Sequence, residues 1–214
     1  YHTFKNGVQG NLLVEGFYTI LKDVFTLEET GETADGGTAT VLERRNGSGA
    51  TVMGINLEAR LAFNPWLQMQ FGGTLQKSRY KEPEKWSEDE SVPAETRMFR
   101  TPDHYGYFMA TVEPIRDFTI NVNGKLTGPM LIQHFAGYVA EDEEVISPTF
   151  FDMGIKLAYE IPLYRLYSLE INAGVKNIFD SFQRDIDQGI NRDAGYIYGP
   201  SLPRTYFFGL NFKL

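Results

Sequence analysis

Six residues in or beside the loop-like stretches of this sequence carry side chains that could bind a small anionic or aromatic molecule. Arginine supplies a planar guanidinium that is always charged, while tyrosine and histidine combine a ring face with a hydrogen-bonding tip. The candidate substrate-binding residues are Arg97, Arg100, Tyr105, His134, Arg192 and Tyr196. Structural roles are the alternative: Arg192 adjoins Asp193, for example, and the two could form a pair within a packed loop.

Two further loop patterns are compatible with haem or with calcium. His104 and His134, together with Met130, could line a path for haem, although a single loop histidine commonly has a structural or solvated role. Residues 185–191, Asp-Ile-Asp-Gln-Gly-Ile-Asn, place oxygen-bearing side chains at alternate positions, as in a calcium loop, but the bidentate glutamate of such loops is absent. An ordinary polar loop explains this string more simply, and we predict no cofactor and no metal site.

Motifs for catalysis are not found in the sequence. It contains no G-x-S-x-G elbow, no phosphate-binding P-loop and no H-E-x-x-H zinc motif. Without cysteine it can form neither a disulfide framework nor a thiolate metal site. The formal net charge of -8 and the pI near 5.0 are the opposite of a basic nucleic-acid-binding surface. We therefore expect a protein that is not an enzyme and that has no nucleic-acid partner.

The elements that must position these loops are β-strands with two different faces. In the last ten residues, Tyr206, Phe208, Leu210, Phe212 and Leu214 alternate with residues that are mostly small or polar. A period of two places alternate side chains on opposite faces of a strand. About ten residues, when tilted, are also enough for a strand to cross a bilayer. This stretch indicates an amphipathic strand of membrane-spanning length.

The same alternation recurs along the chain and predicts about nine antiparallel strands and no helix. The predicted strands cover about 12–27, 38–44, 53–63, 67–76, 105–112, 118–126, 151–161, 169–175 and 205–214. Short turns at Pro65, Pro114 and Pro162 alternate with segments of about twenty or more residues, as periplasmic turns alternate with extracellular loops in outer-membrane barrels. Asn46-Gly47 is a tight-hairpin signal between the second and third strands, and we interpret it as one shortened outer loop.

The apolar face of these strands could contact lipid, or it could form the core of a soluble β-sandwich. Lipid contact is favoured by strands of about ten residues, by the asymmetry of the connections and by aromatic residues near the strand ends. A mean hydropathy of -0.30 agrees with a barrel, whose strands are only half apolar. Charged residues of the opposite face should then line the lumen, pairing with one another or contacting a plug: Glu58, Arg60, Lys125, Lys156, Glu160, Glu170 and Lys176.

Several short segments, most of them in the last third of the chain, have the form of known family motifs. They are Asn177-Ile178-Phe179-Asp180, Arg192-Asp193-Ala194-Gly195-Tyr196 and the run from Tyr198 to Tyr206. Residues 174–179 match G-V-x-N-[IL]-[FT], and residues 54–58 match G-[VI]-x-x-E. Together with the terminal strand, these segments resemble the end of TonB-dependent outer-membrane receptors, and the resemblance extends over most of the chain.

The resemblance implies an antiparallel transmembrane β-barrel of 22 strands, closed by an N-terminal plug and located in the bacterial outer membrane. Residues 1–214 would be its C-terminal portion, and the plug and the earlier strands would precede them. Counting back through about nine strands agrees with this expectation, because an odd number would make the chain enter the barrel from outside.

The function that the resemblance implies is active import of a scarce nutrient. The extracellular loops and the lumen would bind an iron–siderophore, haem, a corrinoid or an oligosaccharide. The TonB complex would supply energy through the N-terminal region, and a surface lipoprotein is a further candidate partner. Two alternatives stay open: a passive or structural outer-membrane barrel, and a soluble carbohydrate-binding β-sandwich.

Overall fold

The computed structural model describes residues 2–3, 8–34, 39–63, 66–164 and 166–213, and the regular elements of this part of the chain are all β. The strands, numbered in chain order, are β1 (His2–Thr3), β2 (Gln9–Leu21), β3 (Phe25–Ala34), β4 (Ala39–Asn46), β5 (Ala50–Phe63), β6 (Leu67–Glu84), β7 (Glu95–Arg97), β8 (His104–Ile115), β9 (Phe118–Thr127), β10 (Leu131–His134), β11 (Glu143–Ile146), β12 (Phe150–Pro162), β13 (Ser168–Lys176) and β14 (Thr205–Lys213). The described residues include no helix of the length and apolar character that crossing a membrane requires.

Most of these strands form one antiparallel meander. The order in the sheet is β1-β2-β5-β6-β8-β9-β12-β13-β14, and the short β7 pairs with β6. Within the described residues β14 pairs only with β13, and β1 only with β2, so the sheet is not closed on itself. The arrangement is that of one continuous part of a barrel wall.

One face of this sheet is apolar and exposed. The register sets Ile155 of β12 between Val122 of β9 and Val175 of β13. Leu210 of β14, which is 59% exposed, lies opposite Ile171 of β13. Further large apolar side chains exposed on this face are Leu12, Val14, Ile20, Ile55, Leu57, Leu157, Phe208 and Phe212. An apolar surface of this extent is rare on a soluble monomer and suits contact with acyl chains.

Aromatic side chains border the apolar face toward both ends of the strands. Toward one end, the rings of Phe108, Phe151 and Phe179 form a row with centroid distances of 6.4 and 5.6 Å. At the other end, Tyr167 stacks on Phe212 with a centroid distance of 5.8 Å. Rings at these two levels correspond to the aromatic girdles of outer-membrane barrels.

Gly124 of β9 shows why a residue without a side chain is needed inside this face. It is the register partner of Phe108 on β8, and a Cβ atom at position 124 would collide with the Phe108 ring. The ring therefore lies across β9 and covers the backbone there, which a larger residue at this position would prevent.

The opposite face carries polar side chains that are joined across the strands. Glu170 accepts hydrogen bonds from Lys156 at 3.1 Å and from Asn211 at 3.1 Å. Lys213 lies 3.1 Å from Glu170 and donates to Glu160 at 2.6 Å. The charged residues predicted to line the lumen all lie on this face by register: Glu58, Arg60, Lys125, Lys156, Glu160, Glu170 and Lys176.

The long connections all leave the same end of the sheet. They follow β2, β6, β9 and β13, whereas short turns follow β5, β8 and β12. Because neighbouring strands are antiparallel, alternate connections lie at opposite ends of the sheet. We call the end with the long connections the outer end.

The predicted strand at 38–44 belongs to a loop and not to the wall, which corrects the sequence-based assignment. β4 pairs with β3 and not with β5, so that a hairpin stands within one long loop between β2 and β5. Asn46-Gly47 therefore does not join two wall strands, and the shortened outer loop inferred there was wrong. The predicted count of about nine wall strands still holds, because β1 adds a wall strand that the sequence did not indicate. As the first of nine antiparallel strands, β1 runs in the same direction as β14.

The second short turn also differs from its prediction. Pro114 lies within β8, and the chain turns at Arg116–Asp117, where Asp117 has a φ of 64°. Pro162 is the last residue of β12, as expected for a residue beside a turn. Pro65 lies outside the described residues.

A soluble β-sandwich, the third alternative from the sequence, is contradicted by this architecture. A sandwich buries the apolar face of each sheet against a second sheet. The two smaller sheets among the described strands are the loop hairpins β3–β4 and β10–β11, and the apolar face of the wall stays exposed. The observed fold is the predicted one, an antiparallel barrel wall.

Candidate functional site

The outer loops pack against one another in two apolar clusters. The first cluster joins Ile132, Phe150, Tyr196 and Tyr198, with Met130 and Val145 packed beside them. The second joins Trp86, Val92 and Phe135, with Phe99 packed beside them. These residues come from the connections after β6, β9 and β13, which are far apart in sequence, and from the first residue of β12. We refer to the two clusters together as the loop core.

The loop core lies above the polar face of the wall. Thr127 of β9 is the register partner of both Phe150 on β12 and Tyr105 on β8, so Phe150 lies on the polar face with Tyr105. The centroid of the Phe150 ring is 6.1 Å from that of Tyr198. Tyr80 continues the polar face of β6 six residues beyond Thr74 and lies 6.5 Å from Phe99, centroid to centroid. The loops therefore fold over the mouth of the lumen and not over the lipid-facing side.

His134 joins the loop after β9 to the loop after β13. Its side chain is 5% exposed, and its ring stacks on that of Tyr196 at 3.6 Å with an interplanar angle of 7°. Nδ1 lies 3.2 Å from a carboxylate oxygen of Glu143, and Nε2 lies 3.0 Å from one of Asp187. Each ring nitrogen therefore has a carboxylate partner, and the two partners fix the orientation of the ring. Asp187 also accepts the backbone N–H of Asp193 at 2.9 Å.

A second polar cluster fixes the end of the same loop. The hydroxyls of Tyr198 and Tyr196 donate to one oxygen of Asp185 at 2.6 and 3.0 Å. Burial alone favours the neutral carboxyl, but the hydrogen bonds from the two tyrosines outweigh it and lower the pKa of Asp185. Burial together with these bonds raises the pKa of Tyr198 to about 12 and raises the pKa of Tyr196 as well. Both phenols consequently stay neutral donors at physiological pH.

Arg100 ties the loop after β6 into the same assembly. Its guanidinium donates to the carbonyl oxygens of Gly195 at 2.6 Å and Ile197 at 2.9 Å. Burial lowers the pKa of Arg100, against the opposing effect of the Asp193 charge. Arg100 therefore holds the backbone of the loop after β13 in place.

The structure brings three of the six predicted site residues together and leaves three apart. Arg100, His134 and Tyr196 meet in or beside the loop core, where protein groups already occupy their polar atoms. Arg97 lies on β7, Tyr105 projects from the polar face of β8, and Arg192 is exposed on the loop after β13. Binding of a ligand by these six residues stays a prediction.

A chamber of about 300 Å³ lies between the β3–β4 hairpin and the loop core. Its walls include the rings of Phe25, Tyr80, Trp86 and Phe99, and its polar groups are those of Arg44, Glu84, Lys85, Arg100 and Gln133. Glu84 accepts the backbone N–H and the hydroxyl of Ser48 at 3.0 and 3.1 Å, which ties the base of the hairpin to the end of β6. The sequence did not predict this chamber. The feature that could have indicated it is Trp86, a single tryptophan within a charged segment.

A second groove of about 300 Å³ lies lower, on the polar face itself. Gly72 and Gly73 form part of its floor, and Tyr105, Tyr107 and Glu58 are among its walls. Gln70 donates to the hydroxyl of Tyr107 at 2.9 Å. The groove therefore lies beneath the loop core, along the lumen. Within the described residues, no group of three or more histidine and acidic side chains is gathered for a metal ion.

Comparison with known proteins identifies the fold. No family model and no curated protein matches the chain. Solved structures do match: the ferric-catecholate import receptor Fiu from K12 E. coli has a TM-score of 0.58 and 20% identity over 93% of this chain and 25% of its own. The siderophore receptor PirA from Acinetobacter baumannii has a TM-score of 0.60 and 16% identity, over 94% of this chain and 29% of its own. The copper transporter OprC has a TM-score of 0.61 and 15% identity, over 94% of this chain and 28% of its own.

The chain spans about a quarter of the length of the first of these structures and somewhat more of the other two. Each match covers nearly all of this chain, so the likeness extends to the whole barrel wall together with its outer loops. The chain therefore has the fold of one part of the transmembrane β-barrel of TonB-dependent outer-membrane receptors, as its sequence motifs predict.

Proposed function

We propose that residues 1–214 are the C-terminal portion of the barrel of a TonB-dependent receptor that imports a scarce nutrient across the bacterial outer membrane. The observation that carries this proposal is the folding of the outer loops into one core above the polar face of a lipid-exposed wall. A passive pore needs an open mouth, whereas a receptor needs a structured surface to hold its ligand before transport.

The matched structures support the nutrient class. Their names describe import receptors and transporters for ferric catecholates, siderophores, iron and copper. An iron–siderophore complex is accordingly our first candidate, with haem or a corrinoid next. The sequence contains no catalytic motif, which agrees with transport in place of catalysis.

In this mechanism the outer loops capture the ligand and the lumen conducts it. The half-buried Arg97 and the exposed Tyr105 and Arg192 contact the ligand, while Arg100, His134 and Tyr196 keep the loop core rigid. The polar network around Glu170 faces the plug, which the TonB complex rearranges from the periplasm through the N-terminal region. A surface lipoprotein that covers the loops remains a candidate partner.

Uptake in cells tests the proposal. A strain that lacks the full-length gene is compared with the complemented strain for accumulation of labelled iron–siderophore, haem and corrinoid. Import should depend on the gene, on an intact TonB complex and on the proton-motive force. Gene-dependent import that persists without the TonB complex would support the passive barrel, and gene-independent accumulation of all three would refute an import role.

A further inference from the structure

We infer that the chamber between the β3–β4 hairpin and the loop core binds an anionic ligand with a flat aromatic part. The inference rests on the proposed import function, because it assigns the ligand class to the outer end of the same receptor. It is carried by the charges, the rings and one free amide that line the chamber.

The charge balance of the chamber is the reverse of that of the chain. Among the described residues, three cationic groups, on Arg44, Lys85 and Arg100, line it together with one carboxylate, that of Glu84. The chain as a whole has a formal net charge of -8. Glu84 already accepts two hydrogen bonds from Ser48, and Arg100 donates to two carbonyl oxygens.

Two of these cations form no salt bridge within the described part of the chain, although Lys85 has a longer-range attraction to Asp89. Among the described residues, no carboxylate oxygen lies within 4.0 Å of the side-chain nitrogens of Arg44 or Lys85. Two unpaired cations beside a partly enclosed space attract a negatively charged ligand, and they do so more strongly at low ionic strength.

Gln133 adds to the chamber wall an amide that has no hydrogen-bond partner in the described part of the chain. The residue is 9% exposed and lines the chamber, and its carboxamide makes no hydrogen bond to any described residue. Because this amide opens onto the chamber, it is free to hydrogen-bond a ligand there. A ligand oxygen or hydroxyl in the chamber would satisfy it.

The aromatic walls define the rest of the ligand. Trp86 is held by a hydrogen bond from Nε1 to Glu144 at 3.1 Å, and its ring meets those of Phe99 and Phe135 edge-on. Tyr80 and Phe25 complete the apolar surface, and Phe25 is 70% exposed at the entrance. Trp86 is only 2% exposed and supports the wall, so the accessible ring surface is that of Phe25, Tyr80 and Phe99. This surface suits a flat apolar group, so the ligand combines negative charge with aromatic rings. A volume of about 300 Å³ suits one such arm of a larger ligand.

Equilibrium binding to the full-length receptor in detergent micelles tests the ligand class. Three probes are compared: the iron(III) complex of a tricatecholate chelator, which is anionic and aromatic, the iron(III) complex of a trihydroxamate chelator, which is neither, and a neutral oligosaccharide. The tricatecholate complex should bind most tightly, and added salt should weaken it. Equal or tighter binding of either neutral probe would overturn the inference.

Matched variants test the location. Lys85→Glu should weaken the tricatecholate complex about tenfold or more, whereas Lys81→Glu, the same change four residues earlier and outside the chamber, should alter it by less than about twofold. Gln133→Glu, which keeps the shape of the side chain but adds a charge, should also weaken binding about tenfold. Its control is Gln188→Glu on the loop after β13, and each variant is first checked for a native shift on an unheated gel.

The outcomes separate this inference from the proposed function. If the wild-type receptor imports a nutrient but the chamber variants bind and import it as their controls do, the chamber assignment is wrong and the import function stands. If the wild-type receptor binds none of the probes and imports no nutrient, both fail.

Discussion

Replacing Ile155 by arginine tests which side of the wall faces lipid. Ile155 lies near the middle of β12, and its side chain shares the apolar face with Val122 and Val175. An arginine on the lipid side near the midplane of a bilayer costs about 2–4 kcal/mol, falling toward zero at the interfaces. At about 1.4 kcal/mol for each factor of ten, the folded fraction should fall between about thirtyfold and a thousandfold under marginal conditions.

The matched control is Asn123→Arg on β9. Asn123 pairs with Gly154, the neighbour of Ile155, so both changes lie at a similar depth, but Asn123 points to the polar face and is exposed there. Its replacement should cost less than about 1 kcal/mol, as is usual for an exposed polar site.

The assay is urea-dependent refolding of the full-length protein into lipid vesicles, followed by the shift between folded and unfolded bands on an unheated gel. Free energies of unfolding come from the titration midpoints of the wild type and the two variants. Equal costs for the two arginines, or a larger cost at position 123, would refute the assignment of the faces.

Further predictions concern the loop core and the wall. Trp86→Ala should remove about 3–5 kcal/mol from the loop core without unfolding the wall, seen as faster hydrogen exchange in the outer loops alone; unchanged exchange there would contradict the packing. The raised pKa of Tyr198 adds stability that is full below pH 10 and is lost as the pH rises to about 12. Near-ultraviolet circular dichroism should report this loss, and Tyr198→Phe should shrink it. The lowered pKa of Asp185 adds stability that is full above the ordinary aspartate value of 3.8 and is lost in more acidic solution. Gly124→Val should lower the yield of folded protein because its side chain would displace the ring of Phe108, and an unaffected yield would argue against that contact.

The wall could be predicted from the sequence because its two faces see different solvents. Alternation over about ten residues identified seven of the eight longer wall strands, six of them near their observed bounds, such as 151–161 for β12, whereas β6 extends to Glu84, eight residues beyond its predicted end. The remaining one, β2, was joined to β3 because residues 22–24, Lys-Asp-Val, contain no glycine or proline to mark the turn that Asp23 makes with a φ of 51°. Local alternation does not show which strands pair with each other. For this reason β4 was predicted as a wall strand although it pairs with β3.

The candidate site was harder to predict because it depends on contacts between loops. His134 and Tyr196 were predicted as ligand residues for their chemistry, and the stacking of their rings beside the loop core could not be predicted from it. No periodic pattern links Trp86 to Phe135 or places Gln133 beside a chamber, since these contacts join segments that are distant in sequence. The residue types were informative, but their partners came only from the fold.

A scan of single cysteines along β14 tests the central claim most directly. Spin labels at positions 206–212 of the full-length protein, reconstituted in lipid, report access to oxygen, which dissolves in the bilayer, and to a water-soluble nickel chelate. We expect labels at Tyr206, Phe208, Leu210 and Phe212 to favour oxygen, and labels at Phe207, Gly209 and Asn211 to favour the chelate, with a period of two. Access that does not alternate, or that alternates in the opposite phase, would contradict a wall with its apolar face in lipid and its polar face around a lumen.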